Sequence, residues 1–297
     1  MIDTAIESAA LDTGALFAAG AQRLRSVFAQ APDSTPDLDA ELLLSHALGV
    51  SRARLRSHPE RIPDAAAAAR FSQLIERRAA GEPVAYLLGR KDFWTLELAV
   101  SPAVLVPRPE TELLVERALA LHPEPLACVA DLGTGSGAIA LALARERPLW
   151  QITATDLSAE ALAVARANAA ALGLDRVEFV SGSWLGALHG RTFDLVVSNP
   201  PYVAEGDPAL AVLSHEPRMA LTPGADALAC LREIIRCAPG HLAQGGWLLL
   251  EHGAAQASAV ADELAARGFA TVRSHRDLAG HERMTEGQWP KVRPGIP

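Results

Sequence analysis

From residue 126 onward, short apolar runs alternate with stretches of helical periodicity. Such alternation predicts successive β-α-β units, and hence a parallel sheet with right-handed crossovers. The expected strands are 126–130, 151–155, 177–180, 193–197, 247–251 and 269–272, with 283–288 as a final edge strand. The pattern therefore indicates an α/β fold for this part of the chain.

The first of these strands leads into residues 131–137, which read Asp-Leu-Gly-Thr-Gly-Ser-Gly. Glycines in such a turn let the backbone approach a ligand closely at the start of the next helix. Asp156 ends the next strand, about 20 residues on, where a carboxylate binds a ribose diol in dinucleotide folds. The pattern fits a nicotinamide dinucleotide or S-adenosylmethionine, and it also occurs as a purely structural turn.

Asn199, Pro200, Pro201 and Tyr202 directly follow the expected strand 193–197 and Ser198. Proline lacks a backbone N–H and has a restricted φ, so the pair ends the strand and stiffens the loop. The Asn amide and the Tyr ring are thereby held at the carboxyl end of a strand. Open α/β sheets bind their ligands at that edge.

This tetrapeptide suits the methylation of a planar nitrogen, and it offers a nicotinamide enzyme nothing. The lone pair of an amide or exocyclic amine is delocalised, so the site must hold the NH₂ group by its hydrogens. The Asn199 side-chain oxygen and the Pro200 carbonyl can accept those two hydrogen bonds, while Tyr202 can lie flat on the group. We assign these three residues to catalysis by positioning and electrostatics, without a strong base.

The region from about residue 12 to residue 80 shows helical periodicity and no strand signal. Composition changes at residues 81–83, after which 86–88 and 93–100 predict two short strands with a turn at 89–92. We therefore expect a helical domain at 1–84, a β-hairpin linker at 85–108 and an α/β domain at 109–297.

Charge and composition exclude several classes of protein. The formal net charge of -8 and pI of about 5.6 argue against a large duplex-DNA footprint. No apolar run approaches a membrane span, and no Lys or Arg precedes Arg23, unlike in a secretory signal. Cys128, Cys230 and Cys237 show no metal-type spacing, so no metal is expected. We expect a cytoplasmic monomer with no membrane or direct nucleic-acid partner.

The sequence resembles bacterial release factor glutamine methyltransferases, class I enzymes that use S-adenosylmethionine. That family N5-methylates the glutamine of the Gly-Gly-Gln motif in class 1 peptide chain release factors, which tunes translation termination. The matching segments are 39–44, 81–86, 93–94, 107–112, 131–137, 198–202, 216–217 and 277–280. The early and linker segments are specific to the family, whereas the glycine turn and Asn-Pro-Pro-Tyr occur in many nitrogen methyltransferases.

The resemblance implies a Rossmann-like seven-stranded methyltransferase domain, preceded by a five-helix domain and a hairpin that help to bind the release factor. The residues that it assigns to the methionine part of the cofactor are Gly133, Thr134, Gly135, Ser136 and Gly137. It implies that Asp156 binds the ribose, that Trp184 lines the adenine side, and that Asn199 faces both cofactor and substrate. Pro200, Pro201 and Tyr202 would complete the glutamine site. The family usually has Asp where this chain has Ser183, so weaker or rearranged adenine contacts are expected.

Two alternatives stay open on the residues alone. An amino methyltransferase acting on adenine or cytosine of DNA or RNA would use the same tetrapeptide on a flipped base. It should show a basic groove and a target-recognition segment, and neither is evident. A nicotinamide-binding Rossmann protein would share only the glycine turn. Arg108 is a candidate partner for a phosphate or carboxylate, or else a solvated charge. The tail after Gln288 is expected to be disordered or variable.

Overall fold

The structure of the protein is a computed structural model that describes residues 11–29 and 34–291. The chain divides into two units, Met1–Gly89 and Arg90–Pro297. The helical segment thus continues past residue 84, and the hairpin is part of the second unit. Residues 292–297 of the tail that was expected to vary lie outside the described residues.

The first unit is helical throughout the part of it that the structure describes. Its helices are α1 (Thr13–Val27), α2 (Pro36–Leu48), α3 (Arg52–Ser57), α4 (Ala65–Ala79) and α5 (Val84–Leu88). Asp12 and Asp64 cap α1 and α4 by accepting backbone N–H bonds. Leu24, Leu43 and Phe71 bring α1, α2 and α4 into one core. The five helices that the resemblance implied are therefore present.

The predicted strand at 86–88 is wrong, because these residues belong to α5. Gly89, with φ +72°, ends that helix in the left-handed conformation. Leu87 is buried in the core of the first unit. A run of three apolar residues fits one helical turn as well as a short strand, so periodicity could not separate them.

The predicted hairpin is present, and its second strand lies within the predicted range 93–100, but its first strand and its turn lie elsewhere. Strand β1 (Arg90–Phe93) pairs antiparallel with β2 (Leu96–Ala99). The turn therefore contains Trp94 and Thr95 instead of residues 89–92. Trp94 has φ +55°, and its backbone N–H and indole N–H donate to Glu112 and Glu146, each at 2.8 Å. Tertiary hydrogen bonds thus hold a bulky residue in a conformation that turn patterns assign to glycine or asparagine.

A seven-stranded sheet forms the centre of the second unit, as the sequence predicts. Its strands are β3 (Cys128–Leu132), β4 (Gln151–Asp156), β5 (Glu178–Ser181), β6 (Phe193–Ser198), β7 (Leu242–Glu251), β8 (Ala270–Arg276) and β9 (Glu282–Gln288). The strand order is β5-β4-β3-β6-β7-β9-β8. Strands β3 to β7 pair in parallel, while β9 is antiparallel to both neighbours.

The last strand in the sequence is not the edge strand that we expected. Strand β9 lies between β7 and β8, and β8 forms the edge. Burial agrees with this order, because Met284, Thr285 and Glu286 of β9 are buried whereas β8 has no buried residue. The mostly polar residues of β9 suited an edge strand, but its polar side chains find partners inside the protein.

Helices cover both faces of the sheet. The α-helices of this unit are α6 (Glu112–Leu121), α7 (Ala138–Glu146), α8 (Ala159–Leu172), α9 (Ala209–Val212), α10 (Arg218–Leu221), α11 (Ala229–Cys237) and α12 (Ala257–Arg267). Val129 of β3 joins a core cluster with α6 and α7, whereas its neighbour Ala130 joins a second cluster with α11 and α12. The period of two along a strand thus divides the core into two layers.

Asn168 of α8 connects the hairpin to the glycine turn. Its side-chain oxygen accepts from Ala99 N at 2.7 Å, and its amide nitrogen donates to the carbonyls of Ala99 and Ser136 at 3.0 and 2.9 Å. The side chain is almost fully buried. One residue therefore satisfies three backbone groups that would otherwise lack partners in the interior.

We predict that Asn168→Ala lowers the free energy of unfolding by about 2–3 kcal/mol, because buried polar groups left without partners cost about 1–3 kcal/mol. Urea denaturation of the purified variant measures this change. Ala167→Ser, at the exposed neighbouring position on the same helix, should stay within about 0.5 kcal/mol of the wild type. Equal stabilities for the two variants would show that Asn168 does not connect these elements.

Candidate active site

A cavity of about 310 Å³ opens at the carboxyl edge of the sheet. The strand order reverses between β3 and β6, and such a switch point is where doubly wound sheets bind ligands. The predicted site residues that line the cavity are Gly133, Thr134, Gly135, Ser136, Asp156, Trp184, Asn199 and Pro201. Gly137, Pro200 and Tyr202 are not among the lining residues. The volume is that of a small-molecule site.

The glycine turn and Trp184 fit against each other. Gly133 has φ +71°, and a Cβ placed on it would lie 2.9 Å from Cζ3 of Trp184. Trp184 itself has φ +46°, an uncommon conformation for a bulky residue. Gly137 has a different role, since its Cβ would lie 3.0 Å from Leu141 Cδ1 within α7. Gly133 therefore shapes the cavity wall, while Gly137 permits the packing of the helix behind it.

Asp156 joins the end of β4 to the glycine turn. Its Oδ2 accepts from Gly135 N at 2.9 Å, and its Oδ1 accepts from Ser158 N at 2.8 Å. Each carboxylate oxygen can accept a further hydrogen bond. The carboxylate is thus held firmly at the cavity wall, with capacity left for the hydroxyls of a ligand.

Asp131 organises the same turn from inside the protein. It is fully buried, and its Oδ2 accepts from Thr134 Oγ1 at 2.6 Å and from Ala140 N at 3.2 Å. No hydrogen-bond partner is present for its Oδ1 among the described residues. Burial raises the pKa of Asp131 from 3.8 to about 7, although the bond from Thr134 opposes this rise.

Asn199 belongs to a chain of side-chain hydrogen bonds that leads away from the cavity. Its Nδ2 donates to Thr111 Oγ1 at 3.1 Å, and Thr111 Oγ1 donates to Glu251 Oε2 at 2.7 Å. Tyr202 donates its hydroxyl proton to the other oxygen of Glu251 at 3.2 Å. Burial raises the pKa of Glu251 to about 7, and burial together with this nearby carboxylate raises the pKa of Tyr202.

Arg108 lines the cavity and has a partner within the protein. Its guanidinium forms an ion pair with Glu216, whose side chain is almost fully buried. The other oxygen of Glu216 accepts from Val106 N at 2.9 Å. Of the two roles considered for Arg108, a carboxylate partner is the one observed, and that carboxylate is the chain's own. The pair connects segment 106–108 to the loop before α10.

Comparisons with known proteins agree with this arrangement. A family model described as the PrmC N-terminal domain matches residues 21–89, and one described as the methyltransferase small domain matches residues 109–258. Release factor glutamine methyltransferase of Pseudomonas aeruginosa is 53% identical over 88% of this chain and 95% of its own length. The chain belongs to the release factor glutamine methyltransferase family.

Further relatives carry the same name. The proteins of Xylella fastidiosa and Coxiella burnetii are 51% and 48% identical, covering 89% and 84% of this chain and 98% and 91% of their own lengths. These relatives do not favour the nucleic-acid or the nicotinamide alternative. Membership in this family makes the chain a methyltransferase, as the resemblance implied.

Solved structures of other methyltransferases share the fold at low sequence identity. The hMettl16 catalytic domain in complex with a MAT2A 3′UTR hairpin is 18% identical, with a TM-score of 0.58 over 74% of this chain and 83% of that one. A methyltransferase from Pyrococcus furiosus is 20% identical, with a TM-score of 0.52 over 75% of this chain and 100% of that one. These identities show the fold alone.

Sequence reasoning missed three residues of this family member's site. Thr111 and Glu251 were given no role, although Thr111 lies in the family-specific segment 107–112 and a carboxylate ending a buried strand was a readable signal. Asp131 opens the glycine motif, but only the structure shows that it lies beneath the turn. Ser183 is exposed and lines the cavity, and its effect on adenine binding stays a prediction.

None of the helices in residues 11–29 and 34–291 is long and apolar enough to cross a membrane. Within the same ranges, no group of three or more His, Cys, Asp or Glu side chains is arranged to hold a metal ion.

The raised pKa of Asp131 predicts a dependence of stability on pH. A carboxyl with a folded-state pKa of about 7 favours folding below its ordinary pKa of 3.8, and this contribution is lost as the pH rises through 7. Each pKa unit corresponds to about 1.4 kcal/mol. The free energy of unfolding of Asp131→Asn should therefore fall less between pH 5 and pH 8 than that of the wild type.

Urea denaturation at several pH values measures these slopes. Glu251→Gln provides a parallel case, because the pKa of Glu251 is also raised to about 7 by burial. Each variant should remove part of the wild-type slope, and the double variant should remove more than either one. A wild-type slope in Asp131→Asn would contradict the raised pKa of this carboxyl.

Proposed function

We propose that this protein transfers the methyl group of S-adenosylmethionine to the side-chain N5 nitrogen of the glutamine in the Gly-Gly-Gln motif of class 1 release factors. The observation that carries the proposal is the position of Asn199 on the same cavity as the glycine turn and Asp156. A hydrogen-bonding amide thus lies next to the residues suited to bind the methyl donor. The names of the relatives supply the substrate, whose methylation would tune translation termination.

The residues of the cavity suit S-adenosylmethionine, which supplies an electrophilic methyl carbon when bound. The backbone of Gly133 to Ser136 would hold its methionine part, and the lone pairs left on Asp156 would accept from its ribose hydroxyls. The Trp184 ring, which packs against Gly133, would lie along its adenine. Ser183 would offer a hydroxyl where the family usually has a carboxylate. In support, a Cβ at Gly133 would lie 2.9 Å from Trp184 Cζ3, so glycine at this position lets the Trp184 ring pack directly on the turn.

The tetrapeptide would orient the reacting amide. The Asn199 Oδ1 and the Pro200 carbonyl would accept the two N–H bonds of the glutamine NH₂ group, which directs its remaining lobe at the methyl carbon. The proton on that nitrogen becomes far more acidic once the N–C bond forms, so no strong base is needed. Catalysis would rest on positioning and electrostatic complementarity. Pro201 lines the cavity, and the half-buried Tyr202 would bound the plane of the amide.

We further propose that the helical segment 1–84 and the hairpin segment 85–108 help to bind the release factor. The match of residues 21–89 to a domain model named for this family supports that role. The acidic net charge of -8 is consistent with a protein substrate rather than a nucleic acid. The enzyme would act as a monomer in the cytoplasm, where release factors function.

Mass spectrometry of a class 1 release factor, incubated with the protein and S-adenosylmethionine, tests the proposal. We expect one added methyl group on the glutamine of the Gly-Gly-Gln motif. A release factor with that glutamine changed to alanine is the control and should stay unmodified. A short peptide carrying the motif should require a much higher concentration than the intact factor for half-maximal methylation. The peptide lacks the remaining surface through which the factor would bind the enzyme. Labelling of RNA without labelling of the release factor would overturn the proposal.

Asn199→Ala should lower kcat by about 10²–10³-fold, the loss typical of removing one preorganised hydrogen-bonding group from an active site. Its Kd for S-adenosylmethionine should change far less, because the proposed work of Asn199 is to orient the substrate amide. Steady-state methyl transfer and calorimetry measure the two quantities. An unchanged turnover would contradict the proposed role of this amide.

A further inference from the structure

Thr111 lies where three elements of the second unit meet. It ends the 3₁₀ turn Pro109–Thr111 just before α6, and its side chain is buried. Its hydroxyl contacts Glu251 at the end of β7, at 2.7 Å, and Asn199 after β6, at 3.1 Å. The hydroxyl thus bridges a fully buried carboxylate and the amide that lines the cavity.

The direction of each hydrogen bond in this chain follows from counting protons. Burial raises the pKa of Glu251 to about 7, so above that pH the carboxylate is ionised and has no proton to donate. Under those conditions both hydroxyls that contact Glu251 must donate to it. Thr111 supplies one of these protons and Tyr202 the other. A hydroxyl carries a single proton, so Thr111 can present only lone pairs to Asn199.

Those lone pairs determine which end of the Asn199 amide faces Thr111. Only the NH₂ end can donate to a hydroxyl oxygen that has already used its proton. The inverted amide would place two acceptor oxygens 3.1 Å apart, with no proton between them. The amide oxygen is therefore directed away from Thr111, and it accepts none of the hydrogen bonds observed among the described residues.

We propose that Thr111 and Glu251 are positioning residues, which hold the Asn199 amide so that its oxygen is free to accept the substrate's NH₂ group. This inference rests on the proposed function, because the preferred orientation of the Asn199 amide matters only if the glutamine of the substrate binds beside it. An inverted Asn199 would offer N–H donors to the substrate, and these suit a carboxylate better than an amide. The Thr111–Glu251 pair should consequently support both turnover and the choice of glutamine over glutamate.

The test compares two substitutions at Thr111 in the full-length protein, at a pH above about 8, where Glu251 is ionised. Thr111→Val keeps the branched shape but removes the hydroxyl, so nothing distinguishes the two orientations of Asn199. We expect kcat for the methylation of a class 1 release factor to fall about 10²-fold, the effect of a small misplacement of reacting groups. Thr111→Ser keeps a hydroxyl and should restore most of the lost turnover. Calorimetry should show a much smaller change in the Kd for S-adenosylmethionine.

A second readout separates positioning from a general structural role. A release factor with glutamate in place of the target glutamine serves as a binding competitor. The wild type should prefer the glutamine form, and Thr111→Val should narrow the ratio of the two dissociation constants, whereas Thr111→Ser should keep it. Loss of structure alone would weaken the binding of both forms without changing their ratio.

The possible outcomes distinguish failure of the proposed function from failure of the positioning role alone. If the wild type does not methylate the release factor, the proposed function fails, and this inference fails with it. If the wild type is active but Thr111→Val keeps its turnover and its preference, or Thr111→Ser is as slow as Thr111→Val, only the positioning role is overturned. If thermal melting shows that Thr111→Val does not fold, Glu251→Met replaces it, since this side chain of similar length removes both acceptors and leaves the Thr111 hydroxyl able to donate to Asn199. A wild-type kcat and preference in Glu251→Met would then overturn the inference.

Discussion

The parallel pairing of β3 with β6 is the constraint on which the site depends. It aligns Leu132 with Ser198, and the Ser198 hydroxyl donates to the Leu132 carbonyl at 2.7 Å inside the sheet. These two residues are 66 positions apart in the chain. Their pairing places the glycine turn after β3 beside the Asn-Pro-Pro-Tyr loop after β6. A one-residue change of register would turn every side chain of the strand to the opposite face.

Buried carboxylates hold the loops around this edge. Asp131 binds the glycine turn from below, Glu216 joins Arg108 to the loop before α10, and Glu251 joins Thr111 to Tyr202. Removing a carboxylate from water is unfavourable, which is why burial raises the pKa values of Asp131 and Glu251. These carboxylates orient the loops around the site, because each one fixes the hydroxyls or N–H groups that donate to it. An active site that works by positioning depends on that rigidity.

Local patterns in the sequence predicted much of the second unit because its strands and helices are regular. The apolar runs and the glycine motif located the seven strands to within a few residues and indicated the edge where the site lies. The mistaken predictions concern residues whose conformation depends on distant partners. Trp94 turns the hairpin because Glu112 and Glu146 accept its hydrogens, and β9 lies inside the sheet because partners such as Arg117 satisfy its buried Glu286. None of these three partners is close in sequence to the residue that it contacts.

The sequence by itself determined the class of fold, the glycine turn, the stiff Asn-Pro-Pro-Tyr loop and the resemblance to its family, since these depend on residue type and spacing along one stretch of chain. Only the tertiary structure showed that Thr111, Glu251 and Asn199 form one chain of hydrogen bonds. The physical reason is the range of the interaction. A side-chain hydrogen bond acts over about 3 Å in space, and the three residues come from segments that only the folded sheet brings together.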